Sequence, residues 1–369
     1  MNIVVIGPYF PYRGGISDTN QELCENLQKS GHSVIVFTFS LQYPSIFFPG
    51  KTQLSSKFDS PKIQAKRIIN SINPFNWISI AKKINDIDPD ILISCYWTPY
   101  MAPSFSFINR IINKKIQKIG LIHNAFPHEN NFLQKSLLKF YLNSIDKHVT
   151  LSKNVMNQIK KIHNIKNGIT LFHPVPKKFG EPINKNLAKE KLNLSKDSIY
   201  ILFFGLIREY KGLDILIKSM STIIQEKNEV KLLIVGESYK SIKKYKEIID
   251  RKNLKNNILF KEKYIDENEI KYWFCSSDLV IQPYKKASQS GISSLSFQFE
   301  IPTVTTNIKG LSEYIIDNQD GFISEPNHKD LSNKILFAID YDKKLMINKI
   351  KIKKDKYNWE KFVSHLINN

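Results

Sequence analysis

The sequence has little cysteine: three residues in 369, Cys24, Cys95 and Cys275, an odd number without ligand spacing. That excludes a disulfide framework or a cysteine zinc site and reads as core thiols of a reduced, cytosolic protein. No apolar run approaches the ~18 residues needed to cross a bilayer, so any membrane contact is expected to be peripheral. Met1 to Gly7 already reads as a strand, with no basic n-region and no cleavage site, so no secretory signal is expected. Low-complexity segments and short-period repeats are absent too. Acidic residues are scarce. Against 54 Lys and Arg stand 34 Asp and Glu, a net charge of +20. The deficit is uneven: residues 1–180 carry 22 basic and 9 acidic residues, and residues 181–369 carry 32 and 25. A composition heavy in Lys, Asn and Ile accounts for part of this, but not for the asymmetry. A basic first half suits an anionic membrane surface, a nucleic acid or a phosphorylated substrate, or is plain solvated surface. Nucleic acid fits least, because the excess is dispersed Lys, not clustered Arg with interleaved aromatics.

What is present is a globular composition, 42% apolar and 24% charged, long enough for two domains. Short β-branched runs alternate with helix-period segments. The runs are NIVVIG (2–7), SVIVFTF (33–39), DILIS (90–94), KIGLI (118–122), HVTL (148–151) and ITLF (169–172). Three prolines and a glycine in HPVPKKFGEPINK (173–185) then interrupt the pattern and mark a linker. A second series follows: IYILFFG (199–205), KLLIVG (231–236), NILF (257–260), DLVIQP (278–283), TVTT (303–306) and GFIS (321–324). The tail 343–369 reads as helical and charged, anchored by Trp359 and Phe362. Such alternation predicts an α/β protein of two doubly wound parallel sheets. Ligands of such sheets bind beyond the strand carboxyl ends, so a cleft between two facing domains is the expected site.

Three loops draw attention. In FFGLIREYKGLDILIKSM (203–220) an apolar run ends at Gly205, and Arg208 and Lys211 precede Gly212. Leu213, Leu216, Ile217 and Met220 then follow the i, i+3, i+4, i+7 rule of an amphipathic helix. The turn therefore joins a strand end to a helix N-terminus, where N–H groups and the dipole favour an anion. Two cations there add charge-assisted hydrogen bonds, roughly twice as strong as neutral ones. It is not a Walker A loop, in which the lysine follows the second glycine, and not GxGxxG. Two solvated cations on an ordinary turn are the alternative. In GPYFPYRGGISDTNQEL (7–23), Gly14 and Gly15 precede a helix expected to open at Ser17 or Asp18. Glycine there permits close approach to a ligand, or the loop is simply flexible with an N-cap. In PYKKASQSGISSLSFQFEIPTV (283–304), Ser288, Gln289, Ser290 and Gly291 lead into a helix with Ile292, Leu295 and Phe299 on one side.

FFGLIREYKGLDILI, RGGISDTNQELCENLQKSGHSV and IPTVTTNIKGLSEYI together resemble the retaining glycosyltransferases of family 4. These have the GT-B fold: two Rossmann-like doubly wound parallel-sheet domains facing across a cleft. The resemblance extends to the terminal YNWEKF (357–362), similar to the family's last helices, the final one crossing back to the first domain. SLQYPSIFFPGKTQ, INPFNW and LIHNAFPHE resemble a bacterial subgroup devoted to cell-surface polysaccharides. The resemblance implies an acceptor domain at 1–178, with a C-terminal crossover helix at about 356–369, and a donor domain at 179–355.

By the same resemblance Arg208 and Lys211 bind the diphosphate of a UDP- or GDP-linked sugar, and Gly14 and Gly15 close from the other domain. In many members the arginine directly follows the first glycine, where this chain has Leu206. His123 matches the histidine near the donor sugar; otherwise it is a loop histidine bonding backbone. Gly205, Gln289, Ser290 and Gly291 fall on the phosphate side, Tyr264 lies in the base-contacting loop, and Glu313 or Glu300 is an acid for sugar or ribose. His128 and Glu129 face the acceptor; H-x4-H-E on one loop supplies too few ligands for a metal. One departure matters. The family's Glu-x7-Glu, aligned on Pro302, falls on Ala287 and Leu295, and each lost charged hydrogen bond costs on the order of 1.5–3 kcal/mol.

The implied activity is metal-independent, retaining hexosyl transfer from a nucleotide sugar to a glycan or lipid-linked glycan, with no cofactor. Its place is the cytoplasm, peripherally on the inner face of the membrane. Arg208, Lys211 and His123 are the expected catalytic residues. No Ser/His/Asp set or carboxylate pair stands out, and Asp86-Ile-Asp88 reads as a solvated turn. A non-catalytic GT-B binding or partner subunit is the alternative that Ala287 and Leu295 suggest. A nucleotide-sugar epimerase shares the fold, but its acids are not apparent.

Overall fold

The computed structural model describes residues 1–44, 52–54, 61–126 and 132–368. Among them the chain forms two compact units, Met1–His173 with Trp359–Asn369, and Pro174–Asn358. The break after His173 falls five residues before the 178/179 boundary expected from sequence.

In the first unit the strands are β1 (Asn2–Ile6), β2 (Ser33–Leu41), β3 (Ala65–Asn70), β4 (Ile91–Tyr96), β5 (Gln117–Ile122), β6 (Lys147–Thr150) and β7 (Gly168–Thr170). All described pairs are parallel, in the order β3-β2-β1-β4-β5-β6-β7. Helices cover both faces, so the inner strands read as continuous apolar runs; every residue of β4 is buried. β3 did not stand out in the sequence. It is an edge strand with Lys66 and Arg67 exposed, so only part of it needs to be apolar.

The helical tail forms two helices, Lys343–Lys356 and Trp359–Asn368, where a final helix at about 356–369 was expected. The cause is that its anchors serve separate cores. Met346 and Ile350 belong to the second unit's core, whereas Trp359, Phe362, Val363 and Leu366 join Leu23 and Leu27 in the first. The buried Lys147 ammonium donates to the Leu366 carbonyl at 2.7 Å, capping the last helix.

In the second unit the strands are β8 (Ile199–Phe204), β9 (Val230–Val235), β10 (Ile258–Lys261), β11 (Leu279–Gln282), β12 (Thr303–Thr306) and β13 (Gly321–Ser324). They pair in parallel in the order β10-β9-β8-β11-β12-β13. The chain runs outward from β8 to β10, then returns to the other side of β8 with β11. This reversal is a topological switch point, where the loops following neighbouring strands part and leave a crevice. The helix Leu213–Glu226 buries Leu213, Leu216, Ile217 and Met220 completely, as their spacing predicts.

Two glycines shape the edge of this sheet. Gly212 has φ +66°, and a Cβ there would stand 1.8 Å from the Pro283 carbonyl oxygen. At Gly236 a Cβ would stand 1.9 Å from the Gly205 carbonyl oxygen. Gly15, by contrast, has open space around it. Gly212→Ala is expected to destabilise the protein by about 2–4 kcal/mol through strain and overpacking. Gly15→Ala should remain within about 0.5 kcal/mol. Urea unfolding of the two variants checks the contrast, and equal midpoints would contradict it.

Candidate functional site

The loop leaving β8 is held by the extension of the ladder beyond the sheet. Gly205 N–H donates to the Val235 carbonyl (2.9 Å) and Ile207 N–H to the Glu237 carbonyl (2.8 Å). This carries Arg208 beside the 236–239 loop, its guanidinium 4.7 Å from the Tyr239 ring centroid, in cation–π range. A single 3-10 turn, Glu209–Lys211, then folds the chain back, and Gly212 in the left-handed conformation starts the helix. Lys211 thus precedes the helix and turns inward.

Lys211 is 8% exposed. Of the four buried lysines among the described residues, three have oxygen acceptors. Lys118 donates to Ile116, Lys147 to Leu366, and Lys189 to Lys196 and Ser198 carbonyls. Lys211 has no hydrogen-bond or ion-pair partner among the described residues. Its ammonium faces the Tyr284 ring at 5.4 Å. The carboxylate of Asp214 is taken by Lys285 at 2.9 Å. Burial therefore lowers the Lys211 pKa; Tyr210 opposes the shift and Arg208 adds to it. Gly205 (φ +99°) leaves the space in front of this cation open, since a Cβ there would sit 3.2 Å from Nζ.

The other wall comes from β11 and the helix Gly291–Gln298. Thr306 Oγ1 donates to the Tyr284 carbonyl at 2.6 Å, and the Tyr284 and Ser290 hydroxyls lie 3.4 Å apart. Ser290 Oγ caps the helix by accepting from Ile292 N–H at 3.3 Å. Gly310 lets the 287–288 backbone pass within contact of its own. Gln289 and Gly291 flank Ser290, both half-buried. Gly205, Lys211, Tyr284 and Ser290 thus form one group at the β8/β11 switch point, with Arg208 close by. Tyr284 and Tyr239 were not singled out from sequence. Their signal is positional, since each follows the end of a buried strand by two to four residues.

Other predicted positions lie elsewhere. Tyr264 is exposed in the loop after β10, at the far edge of the sheet, and Glu313 is exposed after the short helix Lys309–Ser312. Glu300 pairs with Lys351 (3.5 Å) and Lys354 (3.6 Å), so its charge already has partners. Leu295 is 7% exposed in an apolar cluster with Phe274 and Phe299. A carboxylate at 295 would be stripped of water without a partner.

In the first unit the helix Gly15–Lys29 opens at Gly15, not at Ser17 or Asp18. Gly14 (φ +116°) is the N-cap residue and supplies no side-chain acceptor. Ser17 Oγ instead accepts from Gln21 inside the helix, and Thr19 Oγ1 donates to the Gly15 carbonyl. The first-turn N–H groups are therefore uncapped by a side chain, the arrangement that attracts an anion. His123 directly follows β5, 1% exposed, its backbone N–H donating to the Tyr96 carbonyl at 2.8 Å. Burial first, and His173 second, push its pKa down to about 3, so the ring is neutral at physiological pH. His128 and Glu129 lie outside the described residues.

Comparison with known proteins follows the same division. Residues 13–174 match the model described as Glycosyltransferase Family 4, and residues 184–354 match Glycosyl transferases group 1. The unmatched residues between them are most of the proline-rich stretch. Protein CapJ of Staphylococcus aureus is 26% identical over 274 residues, 71% of this chain and 68% of its own length. The capsular polysaccharide biosynthesis glycosyltransferase CapM of the same organism is 26% identical over 155 residues, 41% of this chain and 40% of its own. Among solved structures, Anabaena HepE in complex with UDP-glucose superposes with a TM-score of 0.78 at 13% identity, covering 100% of this chain and 99% of that one. Two family matches in tandem, each on a doubly wound unit, place this chain among the GT-B glycosyltransferases of the group 1 and family 4 type.

Proposed function

We propose that the second unit binds a nucleoside-diphosphate sugar and that the enzyme transfers the sugar, with retention, to a glycan or lipid-linked glycan of a bacterial surface polysaccharide. The observation that carries the donor assignment is Lys211 at the β8/β11 switch point, 8% exposed and without a hydrogen-bond or ion-pair partner among the described residues, with Arg208 close enough to act on its charge. A diphosphate supplies the counter-charge that the protein withholds. HepE, solved with UDP-glucose, makes a uridine donor the first to try, and CapM points to a surface-polysaccharide acceptor.

Departure of the sugar builds negative charge on the diphosphate and positive charge at the sugar carbon. Arg208 and Lys211 would stabilise the leaving group electrostatically, usually the largest contribution to catalysis. In a front-face reaction the leaving phosphate oxygen takes the acceptor's proton, so no protein nucleophile and no metal are required. Gly14, Gly15 and His123 enter the proposal as groups that the first unit contributes to the same reaction, the neutral imidazole as a hydrogen-bond partner for sugar. Ser290, Gln289 and Gly291 would present N–H and hydroxyl groups to phosphate, with Tyr264 toward the base and Glu313 toward sugar or ribose. A non-catalytic partner subunit is the second reading, because Ala287 and apolar Leu295 stand where the family has acids. Release of free nucleoside diphosphate on adding acceptor separates the two.

Two results are expected. Arg208→Ala should lower kcat/KM about 100-fold or more in a donor-consumption assay, and near-wild-type turnover would remove Arg208 from the mechanism. Lys211→Met removes a largely buried charge that has no ion-pair partner among the described residues. It should raise the unfolding midpoint of the unliganded protein by roughly 2–4 °C, for about 1 kcal/mol of relief. The same variant should lose most of the midpoint shift that UDP or GDP gives the wild type. A variant that is destabilised when unliganded, or that keeps the nucleotide shift, contradicts the assignment.

A further inference from the structure

Each cation of the Arg208–Lys211 motif faces a tyrosine ring where an acid could have stood. Lys211 faces Tyr284, and Arg208 lies over Tyr239 with its guanidinium 4.7 Å from the ring centroid. Among the described residues Arg208 makes no hydrogen bond and no ion pair, so the ring is the contact that places it. The neighbouring acid, Glu209, pairs with Lys244 at 3.5 Å.

The pairing of Arg208 with Tyr239 is built into the sheet. β8 and β9 run in parallel with Ile199 beside Val230 and Phe204 beside Val235. The same register is kept beyond both strands, where Ile207 bridges Ser238. Arg208 and Tyr239 are the next two residues in that register. Three features hold the two loops in step. Ile207 N–H donates to the Glu237 carbonyl at 2.8 Å. Gly236 lets its backbone meet that of Gly205, where a Cβ would collide. Ser238 Oγ closes the turn around Tyr239, donating to the Lys240 carbonyl at 2.8 Å and accepting from its N–H at 3.4 Å. Both side chains are half-buried, which strengthens a cation–π attraction over its fully exposed value.

What the ring does for Arg208 follows from where it touches. A carboxylate would occupy two of the five N–H donors in the guanidinium plane and cancel the charge. A ring attracts the flat face instead, so the charge and the in-plane donors stay open to a phosphate. It also fixes a long, flexible side chain before the ligand arrives, which removes an ordering cost from binding. We propose that Tyr239 is a positioning residue that holds Arg208 in place for the donor diphosphate without neutralising it. The proposal rests on the diphosphate role given to Arg208 above, and it gives Tyr239 no contact with the donor.

Titration calorimetry with UDP tests it and needs no acceptor. Tyr239→Leu should weaken UDP binding about 5-fold. Tyr239→Phe, which keeps the ring and loses the hydroxyl, should stay within about 2-fold of the wild type. In an Arg208→Ala background, Tyr239→Leu should change the affinity by less than about 2-fold, because no guanidinium remains to be held. A loosened loop, or a direct contact between Tyr239 and UDP, would persist in that background and overturn the proposal. Wild-type affinity in Tyr239→Leu, or a Tyr239→Phe variant as weak as Tyr239→Leu, overturns it too. If Arg208→Ala binds UDP as the wild type does, the diphosphate role of Arg208 falls and this proposal with it. If Arg208→Ala loses affinity and Tyr239→Leu does not, only this proposal falls.

Discussion

Lys211, a largely buried lysine without an ion-pair partner among the described residues, governs the second unit. A lysine whose side chain is largely buried is disfavoured unless an oxygen accepts from it, and the other buried lysines among the described residues obey that rule. Lys211 does not, and its surroundings hold it in that state. Gly205 leaves the space before it clear, Gly212 turns the chain so that it points inward, and the Tyr284 ring offers only its π face. Asp214, the acid one turn into the next helix, is engaged by Lys285. Such an arrangement would weaken the unliganded protein and would strengthen binding of an anion, a trade that active sites commonly make.

The departure at Ala287 and Leu295 acquires a physical sense from the same place. Leu295 belongs to the core that joins the helix Gly291–Gln298 to the sheet, so this chain has given that position to packing. The donor's recognition would then rest on Arg208, Lys211, the Ser290 hydroxyl and nearby backbone N–H groups. Fewer acids near the phosphates also leave the cations unopposed.

Much of the fold could be read directly. Twelve of the thirteen strands among the described residues were legible as apolar runs between helix-period segments, the inner ones because parallel strands covered on both faces must be apolar throughout. β3 escaped because an edge strand with Lys66 and Arg67 in solvent loses that signature. Composition alone does not divide the tail, since each half is helical; the resemblance supplied the final helix, and the two cores to which the halves belong separate them at Tyr357 and Asn358. Within the site, the motif with Arg208 and Lys211 was visible, but the missing counter-ion of Lys211 was not. That property depends on Asp214 choosing Lys285 and on Tyr284 standing opposite, neighbours that only folding brings together.

Proton linkage addresses Lys211 most directly. An anion bound against it must raise the lysine's pKa from its lowered value, so binding takes up protons where the free lysine has begun to lose its own. Calorimetry of UDP binding in buffers of different ionisation enthalpy, run through alkaline pH, measures that uptake. Net uptake that grows with pH in the wild type and vanishes in Lys211→Met is the predicted result. UDP binding with no net proton uptake, or with the same uptake in the variant, would contradict the account.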